Sequence, residues 1–186
     1  FGQRWQACTQ QCAMTCGDCR YYGKVSGSVS GEVLAGQYHC VSNFFPGLRN
    51  TFYDWKMGFE GAFQARHLSD DYGLNQWDLL LGIVPWLRTC QAAGLVSELN
   101  GQPIDFDQPV FWAHFLRAIA YREGMGDALA EGGRRAPAIL GFGEELAEPL
   151  YAAWGSAGHW DGHGDRANRI VYPFWLVPAL QWACDV

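Results

Sequence analysis

The sequence predicts a mainly α domain preceded by an irregular loop that carries clustered cysteines. Three observations predict this. From Thr51 onward, apolar and aromatic residues recur at helical spacing. Glycines and prolines punctuate that stretch at intervals of helix length. The first fifty residues are instead rich in Gly, Ser and Cys, with four cysteines between Cys8 and Cys19.

The N-terminal stretch reads as loop, with short extended pieces at Tyr21–Val25 and Glu32–Leu34. A first helix is expected from Thr51, because Phe52, Trp55, Phe59, Phe63 and His67 share one helical face. Gly73 follows where a C-terminal cap belongs. Asn75 or Asp78 can open a second helix through Leu79, Leu80, Ile83, Trp86 and Leu87, ending at Gly94. Pro85 lies inside it and predicts a kink or a split. Asp107 is the expected cap of a third helix, with Pro109 in its first turn and its end at Gly124. A fourth runs from about Gly126 to Leu140, interrupted near Gly132-Gly133. The stretch from Tyr151 is Gly- and aromatic-rich and mostly irregular, so strand content should be minor.

Hydrophobic residues make up 49% and aromatics 15% of the 186 residues, with nine Trp, so a thick core or a large-ligand pocket can be built. A formal charge of −6 gives no electrostatic footprint for nucleic acid. No apolar run reaches membrane-spanning length, and the richest, Ile170 to Ala183, is broken by Pro173 and Pro178. The chain starts at Phe1 and stops at Val186 beside an aromatic-rich stretch, which suggests a segment of a longer polypeptide.

Seven cysteines, four of them in one short hook, suit metal better than a disulfide framework, which would spread its cysteines to staple distant loops. Thiolates kept for metal imply a reducing compartment, so a cytoplasmic location is expected. Cys8, Cys12, Cys16 and Cys19 are separated by three, three and two residues. Such spacers let one loop wrap several irons of a four-iron cluster. Gly17 permits close backbone approach. A four-cysteine zinc knuckle or incidental thiols are the alternatives.

These residues resemble a known family. Ala7-Cys8-Thr9-Gln10-Gln11-Cys12-Ala13-Met14-Thr15-Cys16-Gly17 resembles the A-C-x2-C-x3-C-G cluster loop of the tungsten aldehyde:ferredoxin oxidoreductases, with a first spacer one residue longer. Asp70-Asp71-Tyr72-Gly73-Leu74-Asn75 resembles their D-x-x-G-L-D pterin motif, with Asn75 in place of the last acid. The stretch Ala120 to Gly132 is similar to their R-E-G-x-G-D-x-L-A-E-G segment. Leu180 to Cys184 resembles the run before the family's next catalytic segment.

The resemblance implies an irregular helical cofactor-binding domain over residues 1–150, with residues 151–186 beginning the following domain. It implies a [4Fe-4S] cluster on Cys8, Cys12 and Cys16, with the fourth ligand from a later domain. It also implies a tungsten bis-pterin contacted by Asp70, Gly73, Leu74 and Asn75, with magnesium a further candidate ion. Cys19 has no family counterpart and reads as a spare thiol or a substitute fourth ligand.

Two departures sharpen the expectation. Aldehyde-oxidising members carry P-E-Y-E after the cluster loop, ending in a glutamate beside tungsten. Here the stretch is Gly36-Gln37-Tyr38-His39-Cys40. A Cys40 thiolate suits a soft, high-valent metal, and His39 can relay a proton near neutral pH. On these residues the chain resembles the catalytic subunit of class II benzoyl-CoA reductase, and the His159 to Arg169 stretch adds to that likeness. The partners then implied are an aromatic acyl-CoA substrate and an iron–sulfur electron-transfer subunit or ferredoxin, in an oligomeric complex. The E-x-x-H stretch with which some members hold an intersubunit metal is Gln64-Ala65-Arg66-His67 here, so that metal is not expected.

Other residues have plainer readings. His159, Asp161 and His163, with Arg166 and Arg169 nearby, either line a pocket for phosphate groups or form loop hydrogen bonds. Cys90 and Cys184 sit among apolar neighbours and read as core thiols. His67 and His114 read as structural, and Asp127 reads as a helix cap. A zinc-stapled helical binding module is the non-catalytic alternative.

Overall fold

The computed structural model describes residues 2–4, 20–26, 33–38, 56–152, 155–156, 164–165 and 170–171. Among these, helix dominates, as the apolar spacing predicts. Strands β1 (Gly2–Arg4), β2 (Arg20–Ser26) and β3 (Val33–Tyr38) form an antiparallel sheet in the order β1-β2-β3. The helical body comes next, from α1 (Gly58–Asp71) to a 3-10 turn at Glu148–Leu150. The pairs β6 (Tyr151–Ala152) with β7 (Gly155–Ser156), and β8 (Gly164–Asp165) with β9 (Ile170–Val171), come after it.

Helix α1 does not run from Thr51. Lys56 is outside it, Met57 is its N-cap residue, and Gly58 has φ +72°. A left-handed residue at that first position stops a right-handed helix from running through it from upstream. The C-terminal end agrees with the sequence: Gly73 takes φ +65°, its N–H donates to the Asp70 carbonyl, and the Leu74 N–H donates to the Ser69 carbonyl. That is a Schellman closure.

Asn75 opens the next helix, its Oδ1 accepting from the Trp77 and Asp78 N–H groups at 3.0 and 3.3 Å. The expected break at Pro85 takes a specific form. Helix α2 (Gln76–Asp78) widens into a π-turn at Leu79–Ile83 before α3 (Val84–Ala92). The Val84 N–H reaches back to the Leu79 carbonyl. The wider turn accommodates a residue that has no N–H and whose ring would strike the preceding turn.

A hairpin of β4 (Glu98–Leu99) and β5 (Gln102–Pro103) lies between α3 and the next helix. Its turn residues Asn100 and Gly101 both have positive φ, +52° and +81°, as a type I′ turn requires. Helix α4 (Pro109–Ala120) is preceded by Gln108, and Asp107 is not its cap. The Asp107 carboxylate accepts instead from the Lys56 N–H at 2.9 Å, fastening the start of α1. Helix α4 ends at Ala120, with Tyr121 as its C-cap, rather than at Gly124, because Arg122 takes the left-handed φ of +58°. The expected fourth helix is two, α5 (Met125–Ala130) and α6 (Ala136–Leu140), with α7 (Glu144–Ala147) beyond them.

The core is aromatic. Trp86, Trp112, Phe63, Phe111 and Phe115 are fully buried. The Phe106 ring meets Phe111, Trp112 and Phe115 edge-on at 5.1–5.7 Å between centroids. Both buried indoles keep a partner: Trp86 donates to the Gly143 carbonyl and Trp112 to the Phe106 carbonyl, at 2.9 and 2.8 Å. Among the described residues, no helix is long and apolar enough to cross a membrane.

Candidate functional site

The sheet organises the N-terminal motifs by its connections. Arg4 pairs with Arg20, so the intervening cysteine segment leaves and re-enters the sheet at one place. Tyr21 pairs with both Gln3 and Tyr38, which brings the last residue of β3 to the same end of the sheet. His39 and Cys40 come directly after Tyr38. Cys8, Cys12, Cys16, Cys19, His39 and Cys40 themselves lie outside the described residues. So do His159, Asp161, His163, Arg166, Arg169 and Cys184.

The Asp70 to Asn75 stretch is a helix-to-helix corner. Gly73 supplies its left-handed turn, Leu74 packs against the core, and Asn75 caps α2. The Asp70 carboxylate pairs with the buried Arg66 and accepts from Gln76 Nε2. Gln76 Nε2 also donates to the buried Ser69 hydroxyl at 3.0 Å. Asp70 still keeps 40% of its side chain exposed, leaving carboxylate surface for another donor. His67 meets Asp71 at 3.1 Å, one helical turn along.

The second helical motif meets the first through aromatic contact. Tyr72 lies edge-on to Tyr121 at 5.7 Å, and the Arg117 guanidinium sits 5.4 Å from the Tyr121 ring centre. The Arg122 to Asp127 run is another corner. Arg117 pairs with Glu123 at 2.9 Å, while Arg122 bridges Asp127 and Glu131 at 2.7 and 2.6 Å. Asp127 is therefore not the expected cap. Asn100 takes that role from across the fold: its Oδ1 accepts from the Met125 N–H at 2.9 Å, and its Nδ2 donates to the Glu123 carbonyl at 2.8 Å. A Cβ on Gly124 would lie 2.2 Å from Asn100 Oδ1, and one on Gly126 would lie 2.1 Å from the Ala118 carbonyl oxygen. The glycines of this motif thus let the hairpin tip and α4 approach the corner.

Sequence reasoning missed the cluster around Asp78. Its Oδ1 accepts from the Tyr151 hydroxyl at 2.8 Å and its Oδ2 from the Gly133 N–H at 2.9 Å. Burial, and then the Asp78 carboxylate, push the Tyr151 phenol well above its ordinary pKa. The hydroxyl fills the space over Gly82 in the π-turn and over Gly133, where any Cβ would collide with it. Beside it is a small cleft lined by Arg134, Pro137, Glu144, Ala147, Glu148 and Tyr151. The signals in the sequence were glycines at 82 and 133, but their partner stands far along the chain.

Cys90 is buried against Trp86 and Gly143, and burial followed by the nearby Glu145 raises its thiol pKa to about 11. It is an inert core group. His114 Nε2 lies 3.1 Å from the Leu99 carbonyl oxygen. Among the described residues, no three His, Cys, Asp or Glu side chains gather as metal ligands would.

A family model described as aldehyde ferredoxin oxidoreductase, domains 2 & 3, matches residues 2–153. No curated protein and no solved structure gives a significant match.

Proposed function

Because the chain belongs to the aldehyde ferredoxin oxidoreductase family, whose members are metal–pterin oxidoreductases, we propose that it serves the reductive branch acting on benzoyl-CoA. The reaction adds two electrons and two protons to the aromatic ring, giving a cyclic dienoyl-CoA. One observation carries this reading. Where aldehyde-oxidising relatives end their P-E-Y-E stretch in glutamate, this chain has His39-Cys40, reached directly from the end of β3.

The residues present suit the cofactors of that branch. Cys8, Cys12 and Cys16 fall in one segment whose two ends pair at Arg4 and Arg20, as a ligand hook needs. They would hold the [4Fe-4S] cluster. Asp70 has carboxylate surface to accept from the amino and ring N–H groups of a pterin, with Gly73, Leu74 and Asn75 shaping the turn beside it. Cys40 would bind tungsten as thiolate, and His39 would hold a proton for the ring. When bound, the cluster and the metal–pterin supply the low-potential electrons that these residues cannot. An iron–sulfur subunit or ferredoxin would deliver them, in a reducing cytoplasm. Residues 151–186 would begin the next domain.

The test is metal analysis and turnover of the full-length protein prepared without oxygen. Iron, acid-labile sulfide and tungsten are expected, with reduction of benzoyl-CoA. Zinc without iron would refute the whole reading. Aldehyde oxidation without benzoyl-CoA reduction would assign the protein to the aldehyde branch instead. Cys40→Ser should alter the tungsten spectrum, and an unchanged spectrum would remove Cys40 as a ligand.

A further inference from the structure

Four polar side chains meet at the corner between α1 and α2. Arg66, Ser69 and Gln76 are buried, while Asp70 keeps its carboxylate part-exposed. The Ser69 hydroxyl donates to the Arg66 carbonyl at 2.8 Å, so its hydrogen is spent and its oxygen can only accept. That fixes which way the Gln76 amide faces. It presents its NH2 group, which donates to Ser69 Oγ at 3.0 Å and to Asp70 Oδ1 at 2.5 Å. Arg66 pairs with the other carboxylate oxygen, Oδ2, from one helical turn before. The corner's backbone closes without these side chains: the Gly73 and Leu74 N–H groups end α1, and Asn75 caps α2.

We infer that Arg66, Ser69 and Gln76 are positioning residues that clamp both oxygens of Asp70, so that its carboxylate accepts two parallel N–H bonds from a ligand. The inference rests on the reading of Asp70 as a pterin contact. A carboxylate on its own can turn about its side-chain torsions, and a turned one loses the second of two parallel bonds. Here each oxygen is held by an inner donor. Each oxygen has two lone pairs, so each keeps one for a ligand on the exposed side. A pterin's amino group beside a ring N–H offers two donors side by side, as a guanidinium does, and matches that pair.

The experiment follows loss of pterin from the anaerobically loaded full-length protein, read as the fluorescent oxidised pterin that passes a filter. Gln76→Met removes both amide donors at similar volume, and Arg66→Met removes the charge. Each should speed pterin loss about tenfold, the usual effect of removing a group that orients a ligating one. Arg66→Lys should recover part of the loss, because a cation of similar reach still holds Oδ2. Cys90→Ala, which loosens the core elsewhere, should release pterin at the parental rate. Far-UV circular dichroism checks folding, and if Arg66→Met does not fold, Gln76→Met and Ser69→Ala decide the matter. Faster loss in Asp70→Asn with parental rates in Gln76→Met and Ser69→Ala would overturn the inference and leave Asp70 as a pterin contact. Parental retention in Asp70→Asn would remove that contact, and the inference with it. Equal acceleration in Cys90→Ala would mean general loosening and also overturn it.

Discussion

Removing the Asp78 carboxylate should be among the most damaging single changes in the helical body. Asp78→Ala takes an acceptor from the Tyr151 hydroxyl and from the Gly133 N–H. Each stranded donor in a part-buried site costs about 1–3 kcal/mol. Partial exposure lets water recover some of that, so a total near ~3 kcal/mol is expected. Tyr151→Phe loses only the hydroxyl's bond and should cost about 1 kcal/mol. Gly133→Ala is a third probe, because its Cβ would lie 2.0 Å from the Tyr151 hydroxyl oxygen. Tyr151→Phe should relieve part of that clash. Urea unfolding monitored by tryptophan fluorescence gives the free energies, and a double-mutant cycle on Asp78 and Tyr151 gives their coupling. Coupling of about 1 kcal/mol is expected for direct contact. Additive effects, or a Tyr151→Phe variant as stable as the parent, would show that the hydroxyl does not bond to Asp78.

Asn100→Ala removes two hydrogen bonds and places alanine at φ +52°, so it should cost about 2–3 kcal/mol; Asn100→Gly should recover the strain but not the bonds. Equal stability of the two variants in urea would mean that backbone strain is negligible there. Gly126→Ala should cost about 3 kcal/mol or prevent folding, since the Ala118 carbonyl leaves no room; a neutral effect in thermal melts would refute the close α4–α5 approach. The Cys90 thiol should resist a disulfide reagent in the native protein at pH 8 and react on unfolding. Its folded pKa is raised from 9.0 to about 11, so its contribution to stability is complete below 9 and fades as pH rises towards 11. Stability that rose with pH across that window in the parent but not in Cys90→Ala would contradict this sign.

Much of the helical body was legible because its signals are local. Gly73, Asn75 and Pro109 act within a few residues of where they stand, through φ, a side-chain cap and a missing N–H. Pro85 announced a disturbance, but whether a helix kinks, splits or widens depends on packing around it. The Asn100-Gly101 hairpin was also locally encoded, and the surrounding helical spacing drew the reading away from it. Asp107 and Asp127 looked like caps by position, yet each found a different partner through the tertiary fold. Asp78 and Tyr151 are 73 positions apart, and no pattern in a single sequence links them. The candidate cluster and tungsten ligands, Cys8, Cys12, Cys16 and Cys40, were read from a family resemblance and lie outside the described residues. The structure adds the sheet register that brings Arg4, Arg20 and Tyr38, at the ends of the flanking strands, to one end of the sheet.

The polar ties made by Asn100 and by Tyr151 differ in the length of chain they close, and this sets an order of assembly. Asn100 joins positions 23 and 25 residues away, whereas Tyr151 joins one 73 residues away. Shorter loops cost less entropy to close, so the hairpin and its corner can form while the Tyr151 segment is still free. Asn100 substitutions should then slow refolding, and Tyr151→Phe should mainly hasten unfolding, as stopped-flow measurements on the two variants would resolve. On that reasoning the phenol over the π-turn should be the last latch to close and the first to open.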